Sequence, residues 1–96
     1  MIIEWNDKEA EKIWNMKFST RLPHDIQKAA RRKLVMIHSA AHINDLRIPP
    51  SNHLEELKGD REGQHSVRIN DQFRICFYWN NGNVIIDEIC DYRKGR

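Results

Sequence analysis

Apolar positions recur along the chain with two different periods, and the change between them falls near Pro49-Pro50. Met1 to Trp5 is a short, β-branched, apolar run that predicts a strand stopping at Asn6-Asp7. Ala10, Ile13, Trp14 and Phe18 then follow at helical spacing, with Asp7 as the cap and Glu9 and Glu11 in the first turn, where carboxylates suit the helix dipole. Ser19-Thr20 and Pro23 break this pattern. A second helix is predicted from Leu22 onward by Ile26, Ala30, Leu34, Ile37 and Ala41, with Pro23 and Asp25 marking its start. A short turn over 44–46 and then Pro49-Pro50 close the helical half. The rest reads as strands, separated by Asn70-Asp71 and by Asn80-Asn81-Gly82-Asn83, the latter a strong hairpin signal because Asn and Gly tolerate positive φ.

Side chains alternate across a strand, so the hydrophobic pattern argues a register. Val67 and Ile69 share one face of their strand, as do Phe73, Ile75, Phe77 and Trp79 of the next. A three-residue loop at Asn70-Asp71-Gln72 pairs Ile69 with Phe73 and Val67 with Ile75, whereas a two-residue loop would set Arg74 against Val67. The longer loop makes Arg68 and Arg74 direct neighbours on the opposite face. Like charges in that position repel, so the pair is expected to be completed by an anion. Across Asn81-Gly82, Trp79 pairs with Val84 and Phe77 with Ile86. Strict alternation then carries Ile85, Asp87, Ile89, Asp91 and Arg93 onto the arginine face, with Asp91 near Arg74. The same alternation sets Cys76 and Cys90 on opposite faces, leaves Glu88 among apolar residues, and turns Tyr92 away from the arginines unless a bulge follows Cys90. Two guanidiniums near a carboxylate match phosphate in bidentate geometry; the competing reading is a surface Arg–Asp ion pair.

The chain has 96 residues, room for one domain (1–96) and one modest core but not for a deep cofactor cleft. The expected architecture is α+β, an N-terminal strand and two helices packed on one face of a small, mostly antiparallel sheet. Composition (40% hydrophobic, 31% charged) excludes a disordered or low-complexity chain. The net charge of +2 is mild, but the stretch 17–33 carries six basic residues against Asp25 alone. Lys28, Arg31 and Arg32 therefore form either a solvated helix face or a stripe facing RNA or a protein partner. The longest apolar run, 75–79, is far short of the ~20 residues of a membrane span, and no secretory signal is apparent, so a reducing cytoplasm and free thiols are expected. His38 and His42 sit four apart without a third ligand, which favours a surface role over metal binding. No cofactor is expected.

The run from Leu54 to Phe77, with Lys58-Gly59-Asp60, Val67-Arg68-Ile69-Asn70 and Phe73-Arg74-Ile75 within it, resembles the HigB toxins of the RelE/ParE superfamily. The Asn81-Gly82 turn, the terminal Asp91-Tyr92, Arg31-Arg32-Lys33-Leu34 and Leu46-Arg47-Ile48-Pro49-Pro50 are similar to the same group. The resemblance implies a RelE/ParE-like fold and the toxin of a bacterial type II toxin–antitoxin system. It further implies metal-free cleavage of mRNA in the ribosomal A site, with the 70S ribosome, mRNA and a HigA-like helix-turn-helix antitoxin as partners. In such chemistry a ribose 2′-OH attacks the adjacent phosphate, so the protein assists proton transfer and stabilises a phosphorane.

By motif position Arg74, Asp91, Tyr92, Arg93 and Glu55 are the expected catalytic set, with Arg68, Lys58, Arg61, Lys28, Arg31, Arg32 and Lys94 at RNA phosphates. Two positions depart from the family. The terminal Asp-Tyr-His reads Asp91-Tyr92-Arg93, and the other family histidine falls on Glu55. An arginine binds phosphate but does not titrate near neutrality. The expectation is a weak nuclease, or one in which Glu55, Tyr92 or His53 moves the proton. The alternatives are a non-enzymatic, ParE-like gyrase poison, or an attenuated toxin acting chiefly in an antitoxin–operator repressor complex.

Overall fold

The computed structural model describes residues 1–91 and contains a five-stranded sheet with two helices on one face. In chain order the main elements are β1 (Ile2–Trp5), α1 (Lys8–Trp14), α2 (His24–Ser39), β2 (Glu55–Glu56), β3 (Gln64–Arg68), β4 (Phe73–Asn80) and β5 (Asn83–Asp91). Short 3₁₀ helices at Ile43–Arg47, Pro50–Asn52 and Gly59–Arg61 complete the list. The strand order is β1-β5-β4-β3-β2, with only the β1–β5 pair parallel. A parallel pair needs a crossover, and the helical half lies between its two strands in the chain. The expected α+β architecture is the observed one. Tyr92, Arg93 and Lys94 lie outside the described residues.

Asp7 joins the layers. One carboxylate oxygen accepts the backbone N–H groups of Glu9 and Ala10 at 2.8 and 3.3 Å, capping α1, while the other accepts the Ile89 N–H at 2.9 Å, beyond the last residue that β1 covers on β5. A helix start and an unpaired stretch of strand edge are thus satisfied by one side chain. The loop between the helices is held by Gln27, whose amide bonds Ser19 in both directions and the Leu22 carbonyl, and by the Ser19 hydroxyl, which donates to Glu9 at 2.6 Å.

The stripe of α2 is buried as its spacing predicts. Ile26, Ala30, Leu34 and Ile37 pack with Ala10 and Ile13 of α1 against Val67, Ile75, Phe77, Val84 and Ile86. The helix stops at Ser39, however, and Ala40 is extended, so Ala41 lies outside the stripe. His38 and His42 consequently do not share a helix face. His38 Nδ1 accepts the Ile2 N–H and its ring lies against Trp14, whereas His42 caps the first 3₁₀ helix. Phe18, predicted to continue α1, lies beyond its end and is 58% exposed.

Both hairpins adopt the predicted registers near their turns. Val67 faces Ile75, Arg68 faces Arg74, and the Ile69 N–H donates to the Phe73 carbonyl at 2.8 Å. The loop is tied by Asn70, whose side-chain oxygen accepts from the Gln72 and Phe73 N–H groups, an Asx arrangement that mimics a backbone turn. At the second turn Asn81 and Gly82 both take positive φ, 51° and 89°, the combination that matches the twist of a two-residue hairpin.

Strict alternation fails farther along β5. Phe77 faces Ile86 but Cys76 faces Glu88, so Asp87 is an extra residue, a β-bulge. Past it every side chain of β5 changes face relative to expectation. Ile89 and Asp91 fall on the helix side, and Glu88 and Cys90 fall on the arginine side. The expected placement of Cys76 and Cys90 on opposite faces is therefore overturned, and their sulfurs lie 3.5 Å apart as free thiols. The physical reason is core filling. Without the bulge Ile89, now 6% exposed, would sit on the polar face and Glu88 among apolar side chains.

Replacing Asp7 by alanine removes a helix cap and strands a strand N–H, and is expected to cost about 2–4 kcal/mol in urea denaturation. Glu9 supplies a pH test. The Ser19 hydroxyl bond, aided by Lys12 and Arg21, holds its carboxyl below the usual carboxylate range against the opposing effect of desolvation. A lowered folded value means that its stabilisation is complete above the ordinary carboxylate range and is lost as the pH falls through the lowered value. Glu9→Gln should therefore be less stable than the parent at neutral pH, with the difference vanishing in acid.

Candidate active site

The face of the sheet away from the helices begins from a charge that the fold has taken out of water. Arg74 alternates with the core residues Phe73 and Ile75 of β4 and is only 5% exposed. A buried guanidinium needs partners, because burying an unpaired charge costs several kcal/mol or more. Its Nε donates to Ser66 Oγ at 2.8 Å, its Nη2 donates to the His53 carbonyl, and Glu55 Oε1 lies 3.4 Å from Nη2. Register explains two of these partners. Ser66 shares the polar face of β3 with Arg68, and Glu55 of β2 pairs directly with Ser66. The third depends on His53, which adopts φ 44° where the 3₁₀ helix Pro50–Asn52 ends, a left-handed conformation uncommon for a residue with a β-carbon.

Arg68 lies directly across from Arg74 as predicted, and it has partners within the chain. Its Nε donates to the Asn70 carbonyl at 3.0 Å and its Nη2 pairs with Asp71. Arg61 is committed in a similar way. It pairs with Asp87 at 3.1 Å, pairs with Glu88, and donates to Gln64 Oε1 at 3.1 Å. Gln64 in turn donates to Asp87 and to the Tyr78 hydroxyl. The bulge thus delivers both carboxylates to one guanidinium.

A cleft of about 780 Å³ opens over this end of the sheet, with Ser66, Arg74, Cys76, Glu88, Cys90 and Asp91 contributed by the strands and Leu22 and Pro23 by the connection between the helices. A second hollow of about 340 Å³ is lined by Arg74 together with His53, Arg68, Asn70 and Asp71. Arg74 lines both. Glu55 is in contact with it, and His53 and Arg68 line the same hollow, so two guanidinium-bearing residues, a carboxylate and a histidine are grouped at this end of the sheet. Such a set can bind a phosphate and exchange a proton.

Asp91 also lines the cleft, but by a different route from the one predicted. It pairs with Phe73 on the helix side of β5 and accepts from Gln72 Nε2 at 2.6 Å. Lys58 is exposed just before the 3₁₀ helix Gly59–Arg61. Cys90 is the group the sequence reading missed. The Cys76 S–H bond, with smaller contributions from Arg61 and Arg74, lowers the Cys90 thiol to about 7 against the opposing effects of burial and Asp91. The same contact pushes the Cys76 thiol up. Only the bulge brings these sulfurs together. Among the described residues no group of three or more His, Cys, Asp or Glu side chains is placed to hold a metal ion.

Lys28, Arg31 and Arg32 do not join this cluster. They line a separate groove of about 710 Å³ whose floor includes Ile13, Met16, Phe18, Val35 and Met36. Arg31 donates from Nε to the Trp14 carbonyl at 3.2 Å and stacks over the Trp14 ring at 5.8 Å. The groove is apolar with a basic rim, and Met16 and Phe18 are well exposed in it.

No helix among the described residues is long and apolar enough to cross a membrane. The profile of a family described as RelE-like toxin of type II toxin-antitoxin system HigB matches residues 3–93. The chain is 40% identical over 95 residues to Toxin HigB-1 of Vibrio cholerae, covering 98% of this chain and 99% of that one. It is also 40% identical over 65 residues to an uncharacterized protein of Haemophilus influenzae, covering 68% and 64% of the two chains. Among solved structures, a chain of the YoeB-YefM complex from Staphylococcus aureus superposes with a TM-score of 0.62 at 18% identity, covering 94% of this chain and 93% of that one. A YafQ mutant from E. coli superposes with a TM-score of 0.67 at 9% identity, covering 98% and 94%. The polar face built around Arg74 is carried on a fold shared with these toxins, and the profile and the Vibrio relative, each spanning nearly the whole chain, place it by sequence: it belongs to the HigB family of RelE-like toxins from type II toxin–antitoxin systems.

Proposed function

We propose that this toxin is a metal-independent endoribonuclease that cleaves mRNA on the ribosome, with Arg74 as the group that holds the reacting phosphate. The observation that carries the reading is the held guanidinium that lines both cleft and hollow, with Arg68 across the strands and His53 and Glu55 in contact with it. Attack of a ribose 2′-OH on its own 3′-phosphate builds negative charge on the phosphoryl oxygens. A preorganised guanidinium stabilises that charge without having to be reoriented at the moment of reaction. In this reading Glu55, in contact with Arg74, takes the 2′-OH proton, and His53 returns one to the leaving oxygen. By family motif position Asp91, Tyr92 and Arg93 complete the set, with Lys94 and Lys58 at flanking phosphates. Small size fits this task, since the ribosome supplies the positioning of the substrate that a 96-residue chain cannot build.

The same reading includes an antitoxin of HigA helix-turn-helix type. A solved structure of similar fold is the heterotetrameric YoeB-YefM toxin-antitoxin complex from Staphylococcus aureus. The groove along α2, apolar in its floor and basic at its rim, suits an acidic amphipathic segment of such a partner better than it suits bare RNA.

Programmed ribosomes test the enzymatic claim. The parent chain should produce codon-phased mRNA cuts, and Arg74→Ala should lower the rate about 10²–10³-fold. Arg74→Lys, which keeps a charge for the buried site but loses the fork, should fall in between. Absence of cuts by the parent, with inhibition of gyrase supercoiling instead, would establish the non-enzymatic alternative. Charge reversal of Lys28 and Arg32 to glutamate should abolish relief of growth arrest by the co-expressed antitoxin; unchanged relief would remove the α2 groove as its docking site.

A further inference from the structure

We propose that Cys76 and Cys90 form an oxidisable dithiol in the floor of the cleft, which a peroxide converts to an intramolecular disulfide and which small thiols restore. The pair exists because the bulge at Asp87 turns Cys90 onto the face of Cys76, where the two sulfurs are already in contact at 3.5 Å. In register Cys76 faces Glu88 and Cys90 faces Arg74, so the cysteines are diagonal neighbours on adjacent strands. Diagonal positions ordinarily lie at the outer limit for a disulfide, and here the two sulfurs already meet across that diagonal. Access and reactivity are divided between them. Cys76 is 2% exposed, whereas Cys90 is half-buried and open to the cleft.

The charges around the pair favour the chemistry. Cys90 titrates at about 7, chiefly through the bond from Cys76, with Arg61 and Arg74 contributing in the same direction and Asp91 opposing. The accessible sulfur of Cys90 is thus the more readily ionised of the two, while Cys76, pushed up by the same contact and by burial, is the buried resolving thiol. The Cys90 thiolate attacks one oxygen of hydrogen peroxide, the O–O bond breaks, and the departing hydroxide takes up a proton to leave as water. Cys90 is now a sulfenic acid. The Cys76 sulfur then attacks the Cys90 sulfur, the S–O bond breaks, and the hydroxide leaves as a second water with the Cys76 proton. Two thiols have lost two electrons in total, and the peroxide has gained them. A reducing compartment keeps such a pair reduced at rest and returns it after oxidation, the usual behaviour of redox-sensing cysteines. The modification falls two residues from Arg74 on β4 and directly across from it on β5.

The test uses the full chain with a small excess of hydrogen peroxide, read by intact mass, thiol titration after unfolding and a non-reducing gel. The expected result is a loss of about 2 Da, disappearance of both titratable thiols, a monomeric band and full reversal by dithiothreitol. The rate should rise with pH and reach half its maximum near the Cys90 value of about 7. In Cys76→Ser, where no resolving thiol remains, dimedone should trap the Cys90 sulfenic acid. Survival of both thiols, a gain of oxygen mass as the main product, or covalent dimers would each overturn the proposal, whatever the outcome of the ribosome assay.

Discussion

A nearly buried guanidinium imposes the main constraint on this molecule. Arg74 sits between two core residues of a central strand, where a β-branched side chain would pack at less cost. Its presence calls for a serine diagonally across on β3, a two-residue strand carrying Glu55 beyond it, and a backbone carbonyl turned inward at His53. Remove the charge and none of these features has a use. Retain it, and the polar face must be built as a connected set of partners, because a buried charge with partial satisfaction is worse than an apolar residue. A site held this way is rigid before substrate arrives, which is the condition under which hydrogen-bond donors contribute most to a transition state.

The second organising feature is one extra residue in β5. The bulge at Asp87 lets Ile89 enter the core while Glu88 and Cys90 turn toward the polar face. It also places Asp87 and Glu88 together on Arg61, so that this guanidinium is paired locally, as Arg68 is with Asp71 and Arg74 with Glu55. Asp7, bonding α1 and the Ile89 N–H at once, anchors the strand on the far side of the bulge. Helix cap, sheet edge and polar face are thereby mechanically linked.

Much of this is legible in the residues. The α2 stripe, the Asp7 cap and both hairpin turns follow from periodicity and turn chemistry, and with them the pairing of Arg68 with Arg74. The bulge is not legible by alternation. A one-residue insertion reverses every later side chain, and only the combined misplacement of Glu88 and Ile89 hints at it. For the same reason the cysteine pair escapes a reading by strict period. His53 is visible as a titratable residue, but its role in holding Arg74 depends on where the irregular segment after Pro49-Pro50 folds, which no period encodes. The basic stripe on α2 is likewise visible as charge, yet its separation from the Arg74 cleft and the apolar floor between its cations emerge only from packing with α1.

The central claim is that Arg74 is a phosphate receptor fixed in advance, and its own Nε–H reports on it. In a two-dimensional ¹⁵N spectrum of the free chain this proton, bonded to Ser66 and shielded from solvent, should be visible and slow to exchange. Titration with an uncleavable 2′-deoxy oligonucleotide should then shift that resonance together with those of Arg68 and His53. Shifts confined to Lys28 and Arg32, with the Arg74 signal unmoved, would contradict the account.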